Sequence, residues 1–400
     1  MAAPLAATVF WCGVAMIAWT YVGFPLALAL RRRLPPPRVD ADAPLPTVSY
    51  VIVVHNERAV IDEKLANVEA LDYPRDRLQV IVASDGSDDG TDERVAGHAG
   101  PTPIRLVALP RVGKNAALNA AVEVAGGEIL VFSDADSMLE PDALRALVAP
   151  FADSSVGGVA GDYRYEEDVA GGASERGYWS LDRLWKVLES RAGSVTSATG
   201  QIYAVRRAVF EPVPDGVTDD FFVSTGAIAA GLRLWLEPGA VATGPVAEST
   251  EAEYRRKVRL ITRGFASVQA RRGLLDPRRT GFYALQLATH KVARRLVGLP
   301  LLAIALATPW LVAVHPVYAV ALVAQLGLYG LAALGWVLRD TAAGHDRPLA
   351  LPLFFVMVNW AGLRAAADFL RGRRHTGWVP HRLAGPGEGV EPPAPSAEGR

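Results

Sequence analysis

Four short runs of aliphatic residues, each finished by a polar cluster, restrict the fold more than any other feature of this chain. VSYVIVV (48–54) runs into His55, Asn56 and Glu57; LQVIVA (78–83) into SDGSDDGTD; IRLVAL (104–109) into PRVGKNAALN; and EILVF (128–132) into SDADS. Apolar runs of this length, separated by longer segments of helical pattern, are the sequence of β-α-β units whose strands are covered on both faces. The expected class is therefore α/β with a parallel sheet. In such a sheet the loops at the carboxyl ends of the strands converge, and helix N-termini there present unbonded N–H groups. Singly, DGS and DGT are turn sequences and Gly113 before Lys114 opens a helix. Four such clusters at four strand ends describe one site.

Asp134 and Asp136 in SDADS would point to opposite faces within a strand, but they can converge where a strand end turns into a loop. Converging carboxylates repel unless a cation lies beside them, and hard oxygen donors suit Mg²⁺ or Mn²⁺. A bound divalent ion in turn calls for a partner with phosphates. Lys114 brings a compact positive charge to the same edge, and Asp85 offers an acceptor for a base or ribose. With 41 basic against 42 acidic residues and no Lys- or Arg-rich tract, a nucleic-acid partner is not expected. Cys12 is the only cysteine, which excludes an intrachain disulfide and a Cys-based metal cluster.

The stretch Leu5–Leu30 carries no charge and exceeds the ~20 residues of a membrane-crossing helix. Arg31, Arg32 and Arg33 follow it. A signal peptide carries its charge before a shorter apolar core, so residues 1–33 are expected to be a retained helix, N-terminus outside and Arg31–Arg33 cytoplasmic. LPPPRVDADAPLP (34–46) is a stiff linker, and residues 47–279 are soluble in type, which argues against a transporter built only of helices. A basic segment, 280–295, is expected at the membrane interface. It precedes membrane helices over 296–371, beginning with a block, Leu296–Leu338, long enough for two helices joined by a turn near His315 and Pro316. The block at 349–370 contains Asn359, Arg364 and Asp368 and ends in Arg371, Arg373 and Arg374; either it crosses against the charge rule or it lies partly in the interface. The Pro-, Gly- and Glu-rich tail 383–400 is expected to be disordered.

VSYVIVVHNE, DYP (72–74), SDGSDDGT, GKNAALN, SDADS, TGQIYAVRR (199–207) and TDD (218–220) stand in an order that resembles the family 2 glycosyltransferases, inverting enzymes of GT-A fold. The flanking apolar helices are similar to those of the membrane-embedded branch related to hyaluronan, chitin and cellulose synthases. The resemblance implies a Rossmann-like GT-A domain on the cytoplasmic side of a cell (inner) membrane and a nucleotide-sugar donor, expected to be a UDP-sugar. It implies that Glu57 and Asp85 hold the base, Lys114 lies near the base or phosphates, Asp134 contacts the ribose side and the metal, and Asp136 holds the metal on the diphosphate. TDD resembles the family's Thr-Glu-Asp motif, which makes Asp220 the general base, with Asp219 as the next candidate. Read without the resemblance, TDDFF is a helix start, Thr218 or Asp219 capping and Phe221 and Phe222 packing inward.

One departure matters. Processive members carry Gln-x-x-Arg-Trp near the membrane, and YRRKVRLITRG places Arg256, Arg259 and Leu260 at those positions. Arg259 keeps the arginine that would meet the diphosphate; the tryptophan platform for a growing polymer is lost. Arg255, Arg256 and Lys257 also fit a solvated face near anionic headgroups. The expected function is transfer of one sugar to a lipid-linked or growing glycan acceptor. The alternative is a processive synthase that also secretes its polymer. A nucleotidyltransferase of similar sheet would need a triphosphate-gripping loop where VVHNERAVIDE stands.

Overall fold

The computed structural model describes residues 2–31, 33–40, 43–165, 173–244, 250–339 and 341–373. The tail 383–400, expected to be disordered, lies outside the described residues. Strand β1 (Val48–Val54) is buried along its whole length. Its residues 50, 52 and 54 join a core with the helix α1 (Ile61–Glu69), while 51 and 53 join a second core with the helix α2 (Lys114–Glu123). This two-sided burial is why the strand reads as a continuous apolar run rather than an alternation. Three more strands follow as expected: β2 (Leu78–Asp85), β3 (Ile104–Leu109) and β4 (Ile129–Ser133), in parallel order β3-β2-β1-β4.

Beyond β4 the sheet becomes mixed. The strands β5 (Met138–Leu139), β6 (Val156–Tyr165), β7 (Tyr203–Arg206) and β8 (Arg233–Gly244) complete the order β3-β2-β1-β4-β7-β6-β8-β5, β7 lying antiparallel to both β4 and β6. The chain leaves β1 toward β2 on one side and β4 lies on the other, so the order reverses between β1 and β4. A crevice opens outside the carboxyl ends of strands at such a point. The helix α3 (Ala173–Ala192) flanks this mixed half. Two further helices, α4 (Asp219–Ala229) and α5 (Thr250–Ala270), complete the domain and bring TDD and the arginine-rich segment to it.

Among the described residues, three helices are long and apolar enough to cross a membrane: Ala3–Leu30, α6 (Pro316–Val337) and α7 (Arg347–Leu370). A fourth apolar unit is bent by 51° between Phe282–Leu296 and Gly298–Trp310. Its first arm is not apolar surface. Tyr283 and Gln286 donate to Thr196 and Ser194, His290 lies 2.6 Å from Glu189, and Arg294 pairs with Asp182 at 2.8 Å, so this arm is bound into the soluble domain through α3. The end of α7 also meets that domain: Ala361 and Ala365 pack on Val258, Ile261 and Phe265 of α5. Arg364 pairs with Asp368 one turn later, at 3.2 Å, and Asp368 also accepts from Arg373. The turn between the two helices of the block 296–338 falls at 311–315, as expected, but the first helix, Gly298–Ala307, is only about half the length of a crossing.

Candidate active site

The loop after β4 carries Asp134 and Asp136 out of the sheet. Ala135 between them is buried while both acids are partly exposed, so the turn lets two residues of a strand-like spacing share an open edge. Lys114, first residue of α2, reaches this loop: its Nζ lies 2.8 Å from Asp134 Oδ1 and 3.2 Å from Asp219 Oδ2. One ammonium thus joins the strand-end acid to the helix that begins at Asp219. Tyr203 on β7 lies buried within the field of Asp219, Asp220 and Asp134; burial first, then these three charges, hold its phenol well above the usual range.

The two acids at the start of α4 differ in environment. Burial disfavours ionisation of Asp219, but Lys114 and Arg263 overcome it and hold that carboxyl below the usual carboxylate range. Burial pushes Asp220 above that range, and the charge of Asp219 adds to the effect against the pull of Lys291 and Lys114. Thr218, the residue before the helix, makes no side-chain cap; its N–H donates to Ser267 Oγ at 2.9 Å, while Phe221 and Phe222 are buried as the helix-start reading expects.

The asparagines of GKNAALN anchor the approach to this helix. Asn115 Nδ2 donates to the carbonyls of Pro214 and Val217, and Asn119 exchanges two hydrogen bonds with the backbone of Val213. Arg263 on α5 donates to the Val217 carbonyl, at 2.5 Å through one nitrogen. On the same helix Arg259 is half-buried. Burial, then the charges of Arg263 and Arg256, lower its guanidinium from the ordinary value. Arg256 leans on Glu253 at 2.8 Å, and Leu260 is exposed.

On the other side of the crevice Asp85 is fully buried. Its Oδ1 accepts from the N–H groups of Val112 and Gly113, each at 2.7 Å, and its Oδ2 from Arg111 at 2.5 Å. The carboxylate thereby shapes the loop that leads to Lys114. Gly86 allows this: it has φ +66°, and a Cβ there would lie 2.7 Å from the Arg111 nitrogen. Glu57 is half-buried beside this loop system, its N–H donating to Thr91 Oγ1. Asn56, at φ +54°, exchanges two hydrogen bonds with Asp88, tying the end of β1 to the SDGSDDGT loop.

Sequence reasoning named Asn56 only within a polar cluster and missed Arg111, Arg263 and Lys64. Asn56, Arg111 and Arg263 have partners distant in the chain. Lys64 had a signal: it stands with Ile61, Leu65 and Val68 on the apolar stripe of α1, where a lysine is out of place. Burial pushes its ammonium down to about 7, against the pull of Asp134 and Asp136.

An open mixed sheet with acids at its strand ends and helices on both faces is the GT-A arrangement. The mannosyltransferase PcManGT from Pyrobaculum calidifontis, solved in complex with GDP-Man and Mn²⁺, shares the fold, with a TM-score of 0.66 over 92% of this chain and 100% of that chain at 24% identity. Residues 49–213 match the model of glycosyl transferase family 2, and this part of the chain is a domain of that family. Among curated proteins, an N-acetylglucosaminyltransferase of Mesorhizobium japonicum is 28% identical over 276 residues, 64% of this chain and 65% of that protein. A poly-beta-1,6-N-acetyl-D-glucosamine synthase of Staphylococcus aureus is 27% identical over 231 residues, 56% and 55% of the two chains. The chain thus spans between about half and two thirds of the length of these relatives.

Proposed function

We propose that this protein is a membrane-anchored, inverting glycosyltransferase that moves a sugar from a nucleotide diphosphate donor, a UDP-sugar in the first instance, to a lipid-linked or growing glycan acceptor at the cytoplasmic face. The observation that carries the reading is the joining of Asp134, Lys114 and Asp219 by one ammonium beside Asp220. Three segments separate in sequence meet there, at the switch point of the sheet.

Inverting transfer needs a base for the acceptor hydroxyl while the nucleotide diphosphate leaves from the opposite face of the sugar. Asp220 suits that role better than its neighbour. A carboxylate held by Lys114 and Arg263, as Asp219 is, has little affinity for a proton, whereas Asp220 holds one more strongly. Asp219 instead positions Lys114. Lys114 and Arg259 would meet the donor phosphates; the mutual repulsion of Arg256, Arg259 and Arg263 is relieved by an anion laid beside them. Glu57 is assigned to the nucleoside end of the crevice. Asp85, spent on the Arg111–Gly113 loop, serves that end by shaping it.

Asp134 and Asp136 fit a divalent ion in their chemistry: two hard oxygen donors on one short loop, both partly exposed. Among the described residues no group of three or more His, Cys, Asp or Glu could hold a metal alone. Two carboxylates completed by substrate phosphates and water suit Mg²⁺ or Mn²⁺. When bound, such an ion would neutralise charge on the leaving diphosphate.

Packing supports an orientation. The arm Phe282–Leu296 belongs to the soluble domain, while Gly298–Trp310 runs along the first helix (Ala3–Leu30) toward its N-terminal end, Ile304 lying against Gly13 and, after the turn, Tyr318 against Phe10. Leu311 and Tyr318, on either side of that turn, cluster with Phe10 near the N-terminal end of the first helix. We therefore read the bent unit as a broken span and α7, whose end packs on α5, as lying partly in the interface, which leaves three crossings and keeps Arg371 and Arg373 on the cytoplasmic side. That satisfies the charge rule which a count of four would break.

A second reading, processive synthesis with export, is favoured by the similarity to the Staphylococcus aureus synthase. Purified protein in detergent, offered a panel of UDP- and GDP-sugars with Mg²⁺, Mn²⁺ or chelator, tests the first reading through release of nucleotide diphosphate. Release with none of them sinks it. Products longer than one added sugar favour the second.

A further inference from the structure

Lys64 is fully buried, yet no part of the donor or acceptor chemistry assigned above uses it. From α1 its Nζ donates to Ser133 Oγ at 2.8 Å and to the carbonyl of Ser137. Ser133 is the last residue of β4 and Ser137 the first after Asp136, so one side chain grips both ends of the loop that presents Asp134 and Asp136. Ser133 is held a second time, its Oγ lying 2.7 Å from Tyr50 Oη. The ammonium also faces the ring of Tyr50 at 5.4 Å. A solvated lysine would serve none of this, and a lysine buried only as ballast is an expensive choice, because transferring an amine out of water is costly unless its hydrogen bonds are needed.

We propose that Lys64 is a positioning residue for the divalent-ion site: it clamps the two ends of the 134–136 loop from behind, so that both carboxylates meet the ion in one preset arrangement. The inference rests on the glycosyltransferase reading and its metal site. Residues that orient metal ligands without touching the metal affect its affinity on a known scale, 10- to 100-fold for their removal.

The test uses full-length protein in detergent and titrates Mn²⁺, followed by the electron paramagnetic resonance signal of the free ion, with UDP or GDP present. Lys64→Met keeps the volume and loses both donated bonds. Its Mn²⁺ affinity is expected to fall about 10- to 100-fold while its melting temperature stays near that of the parent. Lys64→Gln, which retains N–H donors on a shorter stem, is expected to recover part of the loss. Should Lys64→Met fail to fold, Ser133→Ala removes one of the two anchors and is expected to weaken Mn²⁺ binding in the same direction. A folded Lys64→Met or Ser133→Ala variant with parental Mn²⁺ affinity overturns the inference. So does tighter binding by Lys64→Met, which would make Lys64 a repelling charge rather than a clamp. A parent that binds no Mn²⁺ with either nucleotide overturns the metal site itself, a result distinct from any variant-specific effect.

Discussion

At the scale of single residues, Asp219 and Asp220 are adjacent in sequence and opposite in electrostatics. If Asp220 is the base, Asp220→Asn keeps shape and hydrogen bonding but cannot take the acceptor proton, and transfer is expected to fall at least ~10²-fold. Donor affinity, measured by calorimetry on the same preparation, should hardly move; affinity lost in step with activity would make Asp220 a donor-site residue instead. The active form of a base is the carboxylate. Because its pKa is raised, protonation begins at a higher pH than for an ordinary aspartate, so the acid limb of the rate profile should lie above the usual carboxylate range. An acid limb at the ordinary position would argue against Asp220. Asp136→Ala should abolish Mn²⁺-dependent nucleotide binding, and activity that persisted in excess chelator would end the metal hypothesis. Asp134, Asp136, Lys114 and Asp220 were legible in the sequence because each sits at a strand end or helix start, where local pattern fixes position. Lys64, Arg111 and Arg263 were not, since their meaning lies in partners 26 to 73 residues away.

Among elements, the first four strands could be read closely because two-sided burial writes itself as an unbroken apolar run. The mixed half of the sheet could not, because β6, β7 and β8 pair across long insertions and their order depends on contacts that no local pattern records. The irregular turn at Ala288–Leu296 was also hidden: His290 and Arg294 read as basic surface, yet both are buried against acids of α3. The same region shows why α7 contains Gly362. A Cβ there would run into the Arg295 carbonyl, and one at Gly298 would meet the Asn359 carbonyl at 2.7 Å, so two glycines let α7 and the bent unit touch backbone to backbone. Gly362→Leu is therefore expected to cost ~1–3 kcal/mol through overpacking. A lowered thermal midpoint in detergent is the readout; an unchanged midpoint would mean that this contact does not hold the two elements together.

On the scale of the whole molecule, hydropathy alone locates apolar blocks and leaves their number of crossings open. That number depends on which helix ends meet the soluble domain. The end of the first helix, through Phe24 and Leu28, packs on Trp185 of α3, and the end of α7 packs on α5, so in the proposed arrangement both ends lie on the domain's side. Leu311 and Tyr318 cluster with Phe10, toward the other end of the first helix, so on the reading proposed above the bent unit leaves that side, α6 returns to it and α7 lies against it. The alternative of four crossings, in which α7 also spans, carries residue 373 to the other side, which makes the two arrangements separable. Cys12→Ala gives a cysteine-free protein, into which Val314→Cys, Thr341→Cys and Arg373→Cys are placed singly and challenged with a membrane-impermeant maleimide on intact cells. A broken span with α7 in the interface expects labelling at 314 alone, with 341 and 373 protected until the membrane is opened. Four crossings expect labelling at 314 and 373 with 341 protected. The second pattern would detach the end of α7 from α5, and with it the packing behind the helix that brings Arg263 to Asp219.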